Sequence, residues 1–256
     1  MAPPRVQVTA ARLLRRIRAQ LLALMIQHMP TPTTYELSDG VATITMDDGK
    51  VNALSSAMLA DVASQFDQAE ADEAVVVLTG NHKVFSAGFD LRCELEHWPE
   101  MLTAGASLAE RLLSFPRPVV VACTGAAVAM GGFLLLSADH RIGVEGDYGI
   151  GLNEVAIGLT LPWFGIELAR HRLTRPYFDR CTVTGVILKP EEAQAAGFLD
   201  EIVPAADLLA TATSTARTLA GLDPAAHAAT KLRVRAQVLA GVRDGIERIA
   251  DPDREL

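Results

Sequence analysis

Apolar and polar residues alternate through Tyr35–Leu37 and again through Val41–Met46, on either side of Asp39-Gly40. This period-two pattern predicts a β-hairpin closed by a tight turn. The period then lengthens. Met58, Leu59, Val62 and Phe66 recur at helical spacing behind Ser55 or Ser56, a residue type that caps helix N-termini, and predict a helix through about Ala69. Ala74–Thr79 is a β-rich run that ends at Gly80. A helix near Leu108–Leu113, a buried strand over Pro118–Thr124, a helix over Gly131–Ala138 and a strand over His140–Val144 follow. Strand, turn and helix thus alternate as in α/β proteins. The last third reads as helices over Trp163–His171, Pro176–Thr184, Pro190–Ala196, Ala206–Ala220 and Ala225–Ile249, with one short strand at Phe198–Val203. Helices placed this way cap a sheet or pack on another subunit.

Two stretches carry candidate chemistry: Lys83-Val84-Phe85-Ser86-Ala87-Gly88-Phe89-Asp90-Leu91, and the run from Gly125 to Gly132-Phe133 that opens an apolar helix. Glycine turns leave backbone N–H groups free, and a helix start adds the positive end of its dipole. Two such amides can hold one oxyanion, the need of an enzyme that makes an enolate or tetrahedral intermediate from an activated carbonyl. No Gly-x-Gly-x-x-Gly opens a helix and no phosphate-loop lysine is present, so nucleotide binding has no support.

Composition narrows the field further. The chain has 256 residues, 50% of them hydrophobic and 21% charged, enough to bury a full core. A net charge of −8 and a pI near 5.3 argue against a nucleic-acid partner, which calls for a basic face. Cys93, Cys123 and Cys181 are odd in number and widely spaced; they read as reduced core thiols of an intracellular, cytoplasmic protein, with neither zinc spacing nor a redox pair. No apolar run reaches the length of a bilayer span. From Met1 to Tyr35 there is no acid, while Arg5, Arg12, Arg15, Arg16 and Arg18 share a segment with Leu13, Leu14, Ile17, Leu21, Leu22 and Leu24. That stretch is either an amphipathic targeting or membrane-surface helix or an upstream extension outside the fold, ending in the Pro30-Thr31-Pro32 linker.

The blocks Val51-Asn52-Ala53-Leu54, Phe85-Ser86-Ala87-Gly88-Phe89-Asp90-Leu91, Pro118 to Gly125, Gly131-Gly132, Asp139-His140-Arg141-Ile142 and Asn153-Glu154-Val155-Ala156-Ile157-Gly158-Leu159 occur in that order. In this set, from about Tyr35 to about Arg235, the chain resembles the crotonase superfamily, the enoyl-CoA hydratase/isomerase family. The resemblance implies an α/β crotonase fold, a spiral of ββα units over residues 33–200 with a C-terminal helical oligomerisation region over 201–256. It implies a homotrimer or a hexamer built as a dimer of trimers, acting on acyl-CoA thioesters. No cofactor or metal is expected, coenzyme A being part of the substrate.

Carried over residue by residue, the resemblance puts the oxyanion donors on the N–H groups of Phe89 and Met130, with the methionine side chain pressing on the acyl pocket. It implies substrate contacts at Ala53, Ala87, Gly88, Leu91, Arg92, Gly131, Phe133, Pro162 and Trp163. Hydratases of the family use two glutamates. Here the first position holds Phe133 and the second holds Glu154. A phenyl ring cannot hold water or move a proton, whereas one carboxylate suffices to carry a proton between two carbons, so the resemblance points to double-bond isomerisation. Hydration of 2-enoyl-CoA in fatty-acid oxidation, thioester hydrolysis and acyl-CoA binding without catalysis are the alternatives. Pro162 stands where dienoyl-type isomerases carry a further acid, which rejects that subtype. Val155, Ala156, Ile157 and Leu159 are expected to surround Glu154 and raise its pKa to that of a general base. Asp90 and Asp139 read as structural, Lys231 and Arg233 as a solvated helix face, and His82, His97 and His140 as surface or satisfied residues.

Overall fold

The structure, a computed structural model, describes residues 32–251; the expected extension over residues 1–32 lies outside them except for Pro32. In chain order the elements are β1 (Thr33–Ser38), β2 (Val41–Met46), α1 (Ser56–Ala71), β3 (Val75–Thr79), β4 (Val84–Ser86), α2 (Trp98–Ser114), β5 (Val119–Cys123), β6 (Ala126–Val128) and α3 (Met130–Ser137). There follow β7 (His140–Val144), β8 (Ile150–Gly151), α4 (Trp163–Arg172), α5 (Arg175–Val183), β9 (Ile187–Leu188), α6 (Pro190–Ala196), β10 (Glu201–Val203), α7 (Leu208–Ala220), α8 (Pro224–Val234) and α9 (Ala236–Ala250). The first sheet runs β1-β2-β3-β5-β7-β10, parallel but for the β1–β2 hairpin, and the second runs β4-β6-β8-β9. The architecture is the expected α/β one with C-terminal helices, its strands divided between two sheets.

The valine-rich strands β3 and β5 are buried on both faces, which explains their unbroken apolar sequence. Their side chains alternate between two cores. Val76, Leu78, Val119 and Val121 face a large core shared with α1, α2 and α3, while Val75, Val77, Val120 and Ala122 face a smaller one closed by α7. Leu208, Ala212 and Ala216 line the inner face of α7 at four-residue steps, and the two alanines let the helix lie close to the sheet. Val238, Leu239 and Val242 of α9 enter the large core, so the C-terminal segment also contributes to the interior of the main body.

Several boundaries differ from the sequence reading. The helix expected near Leu108–Leu113 begins at Trp98, because Pro99 sits in its first turn and its inner face continues through Met101, Gly105 and Ala106, residues mostly too small to give an apolar signal. The single helix expected over Ala225–Ile249 is two, broken at Arg235 (φ −96°, ψ 5°). The strand expected over Phe198–Val203 covers Glu201–Val203, since Phe198 and Leu199 are spent in the large core. The three thiols are unpaired, yet only Cys123 and Cys181 are buried; Cys93 is half-exposed and so is no core residue.

The expected solvated face around Lys231 and Arg233 also divides. Arg233 is exposed, but Lys231 is the one buried residue of α8, with its Nζ 2.7 Å from Asp139 Oδ2. Arg235 approaches Asp139 Oδ1 at 2.8 Å, and the Val119 N–H donates to Oδ2 at 2.7 Å. Burial pushes the Lys231 ammonium down to about 8. Arg235 also donates to the carbonyls of Leu113 and Ala138, and Arg172 to those of Leu136 and Ala138. The C-terminal end of α3 is therefore met by two guanidinium groups, the favourable sign for a helix dipole.

Truncating the carboxylate in Asp139→Ala leaves two buried cations without their shared partner, and a loss of about 3–5 kcal/mol in urea unfolding is expected. Arg233→Ala, on the exposed side of the same helix, is expected to stay within about 0.5 kcal/mol of the parent. Equal midpoints for the two variants would show that the cluster carries no stability.

Candidate active site

The turn after β4 is built from side-chain hydrogen bonds to the main chain. Asn52, buried and held at φ 51°, donates from Nδ2 to the carbonyls of Met46 (2.8 Å), Val84 (3.2 Å) and Phe85 (3.1 Å). Its own carbonyl accepts from Ser86 Oγ at 2.8 Å, and Ser86 Oγ accepts in turn from the Gly88 N–H at 3.1 Å. Asp48 accepts from the N–H groups of Lys50, Asn52 and Ala53, tying down the preceding loop. Leu54 then makes both bonds of an isolated parallel bridge, donating to Gly88 O (2.8 Å) and accepting from Asp90 N–H (3.3 Å). In such a bridge the residue between, Phe89, turns its own N–H to the opposite side. Among the described residues that N–H has no acceptor.

The second turn abuts the first. A Cβ on Gly88, which has φ +88°, would lie 2.8 Å from Ala129 Cβ and 3.4 Å from Met130 N; one on Gly131 would lie 2.7 Å from Ser86 O. Only chains without side chains at these places can come so near. Ala129 occupies φ 50°, ψ −122°, an uncommon conformation for alanine, and is pinned on both sides: its N–H donates to Gly151 O at 3.0 Å and its carbonyl accepts from Phe133 N–H at 3.1 Å. Met130 is the first residue of α3, and its N–H has no acceptor among the described residues. All residues of α3 are buried, so its dipole acts with little solvent screening.

Glu154 follows β8 by three residues, and β8 lies against the start of α3: a Cβ on Gly132 would meet Gly151 O and Leu152 Cδ2, each at 3.0 Å. The carboxylate is buried, Oε2 has no hydrogen-bond partner among the described residues, and burial pushes the pKa up to about 7. The cause is not the one expected from the sequence. Val155, Ile157 and Leu159 are themselves 43–48% exposed, so Glu154 is dried by the tertiary fold rather than by its chain neighbours. Its side chain makes no capping hydrogen bond to the short turn Val155–Ile157.

The remaining positions scatter. Ala53 is drawn beside the Gly88 turn, whereas Ala87, Leu91 and Arg92 are exposed. Arg92 grips Asp90 through two bonds of 2.8 Å, holding that carboxyl below its usual range, and is thereby committed to an intrachain partner. The Met130 side chain does not press on an open pocket: it is fully buried, with Sδ toward Gly105. Phe133, implied as a substrate contact, has no accessible surface; its ring packs edge-on to Phe164 at 5.3 Å, over Gly165, where a Cβ would stand 2.4 Å from Cζ. Pro162 precedes α4, and the half-exposed Trp163 ring lies 4.8 Å from the Arg248 guanidinium. Glu94, Glu96 and His97 bring three potential metal-ligand atoms within 4.8 Å of one another, all of them on the exposed surface. Sequence reasoning passed over Asp48, Ser86 and the positioning side chain of Asn52. The signal available was Asp47-Asp48-Gly49, a turn-forming run just before an apolar block.

Residues 36–247 match the enoyl-CoA hydratase/isomerase family. A solved Mycobacterium tuberculosis protein, called an enoyl-CoA isomerase in one structure and a probable enoyl-CoA hydratase in another, is similar at 47% identity and TM-score 0.84, over 87% of this chain and 99% of that one. An enoyl-CoA hydratase of Mycobacterium ulcerans is similar at 45% identity and TM-score 0.83, over 86% and 98%. A putative enoyl-CoA hydratase of Thermus thermophilus shares 32% identity over 80% of this chain and 84% of its own. Among the described residues no helix is long and apolar enough to cross a membrane.

Because the Glu154 pKa is raised on folding, the unfolded chain loses this proton first as pH rises, and the associated stability is lost between about 4.5 and about 7. Glu154→Gln, which removes the charge, is therefore expected to raise the unfolding free energy at pH 8 by an amount on the order of 3 kcal/mol, seen as a higher melting temperature, and to leave it unchanged near pH 4. An equal change at both pH values would contradict a desolvated carboxylate.

Proposed function

We propose that this chain, which belongs to the enoyl-CoA hydratase/isomerase family, moves the double bond of a 3-enoyl-CoA to the 2-position. The observation that carries the reading is Glu154: a lone buried carboxylate with an unpartnered oxygen, near neutral pKa, while the place of a second acid is taken by the Phe133 ring. The N–H groups of Phe89 and Met130 donate to the thioester oxygen. A thioester sulfur feeds little density into its carbonyl, so the α-proton is acidic enough for a carboxylate base once the oxygen is held.

The steps balance with one side chain. The Glu154 carboxylate takes a proton from the α-carbon, the C–H electrons form a double bond between the carbonyl carbon and the α-carbon, and the carbonyl π electrons move onto the oxygen between the two amides, which gives a dienolate. The dienolate then collapses, the γ-carbon takes the proton back from Glu154, and the double bond is left conjugated to the carbonyl. A packed phenyl ring at Phe133 supplies no group to hold a water for addition to that product. Relatives of this chain carry both isomerase and hydratase names, one Mycobacterium tuberculosis protein carrying both, so the reading rests on the site and hydration is tested beside it.

Further copies of the chain complete the assembly. Leu222, Leu232 and Val234 are exposed on and beside α8, a helix with only Lys231 inside, and they suit an interface between identical chains in a trimer or a dimer of trimers. Light scattering is expected to give a mass at least three times the 27.3 kDa of one chain; a monomeric mass overturns this.

Incubation with 3-enoyl-CoA and 2-enoyl-CoA in separate reactions is expected to show fast isomerisation of the first and little hydration of the second. The rate constant kcat/KM is expected to rise with pH through about 7, as Glu154 ionises, and then to level off. Glu154→Gln is expected to lower isomerisation roughly 10²- to 10⁴-fold. Rapid hydration of 2-enoyl-CoA that survives Glu154→Gln would reject the one-carboxylate mechanism, and release of free CoA would point to hydrolysis.

A further inference from the structure

Phe89 and Met130, whose amides have no acceptor among the described residues, send their side chains to one place on α2. A Cβ on Gly105 would stand 2.5 Å from Phe89 Cζ, 2.6 Å from Phe89 Cε1 and 3.3 Å from Met130 Sδ. Trp98, seven residues earlier and so on the same side of the helix, meets the Phe89 ring edge-on with centroids 6.2 Å apart. The Phe89 ring is thus seated against one face of α2, with Trp98 and the bare backbone of Gly105 as its supports. The methionine thioether lies against that same bare backbone. The geometry points to Gly105 as a positioning residue for the oxyanion hole: the missing methyl lets both side chains settle at the depth that sets their amides.

This inference rests on the reading of Phe89 and Met130 as donors to a thioester oxygen, and it adds a residue that touches neither substrate nor the reacting atoms. A phenyl ring is stiff, so a methyl at Gly105 cannot be absorbed by bending the ring; it is passed to the Phe89 backbone, whose carbonyl neighbour Gly88 is already packed against Ala129. The methionine side chain has rotatable bonds and yields more easily. Displacement therefore falls unequally on the two donors and spoils their convergence. Helix propensity works the other way, since alanine favours a helix over glycine.

The test compares Gly105→Ala, Phe89→Leu and the double variant, the last keeping the backbone amide while removing the outer ring atoms. Gly105→Ala is expected to lower kcat for 3-enoyl-CoA roughly 10- to 100-fold with little change in KM, because the hole acts most strongly on the transition state. In the Phe89→Leu background the same substitution is expected to cost little more, the ring it clashes with being gone. Where Gly105→Ala does not fold, Trp98→Leu, which removes the ring's other support, is expected to give the same fall in kcat at steady KM. A readout independent of turnover is the carbonyl stretch of a bound saturated acyl-CoA labelled with ¹³C at the thioester carbon: lowered in the parent, less so in Gly105→Ala or Trp98→Leu.

Parental kcat and carbonyl stretch in Gly105→Ala, or a double variant that loses the product of the two single losses, overturns the inference. A lowered stretch in the parent without isomerisation rejects the proposed reaction and leaves the inference to be decided by the variants' stretch alone. No lowering in the parent overturns both.

Discussion

Two turns can share one space here only because neither has a side chain at the point of contact. A Cβ on Gly88 would crowd Ala129 at 2.8 Å, and one on Gly131 would crowd Ser86 O at 2.7 Å. The approach places one unsatisfied N–H on each turn in the same region, Phe89 on one side and Met130 on the other. The hydrogen bonds of Asn52, Ser86 and Leu54 hold the first turn rigid, and the bonds of Ala129 to Gly151 and Phe133 hold the second. Preorganisation of this kind matters because donors already fixed need not be reordered when charge develops.

A buried helix supports the arrangement. α3 is apolar throughout and enclosed, so it supplies an almost unscreened dipole, and its carbonyl end would be costly without partners. Arg172 and Arg235 provide them, and Asp139 balances Arg235 together with the buried Lys231. The charged cluster and the Met130 amide stand at the two ends of one helix. Groups that look unrelated in sequence, near residues 130, 172 and 235, are joined through that axis.

Glu154 has the opposite environment. Where Asp139 is surrounded by cations and a backbone donor, Glu154 has one oxygen with no partner and is kept from water by the fold. The first carboxylate is structural because it is satisfied; the second is chemically available because it is not. Phe133, by contrast, is an apolar ring seated in the slot above Gly165 and packed edge-on to Phe164.

Local pattern was enough to reveal the hairpin at Asp39-Gly40, the cap at Ser55, the valine strands and the helix behind Gly131, since period and turn chemistry are written in consecutive residues. The ordered blocks were likewise enough to identify the fold family. The second sheet was hidden because its strands are two or three residues long, too short to show a period. Burial was hidden for a different reason: it depends on which distant segments meet. Lys231 is interior because Asp139 lies beneath its helix, and Glu154 is dry although the residues beside it in the chain are wet. Met130 points to Gly105 and Phe133 to Gly165 through contacts between helices that no sequence spacing encodes. Residue type thus determined what chemistry the chain could carry, and tertiary packing decided which of those groups stay exposed, paired or free to react.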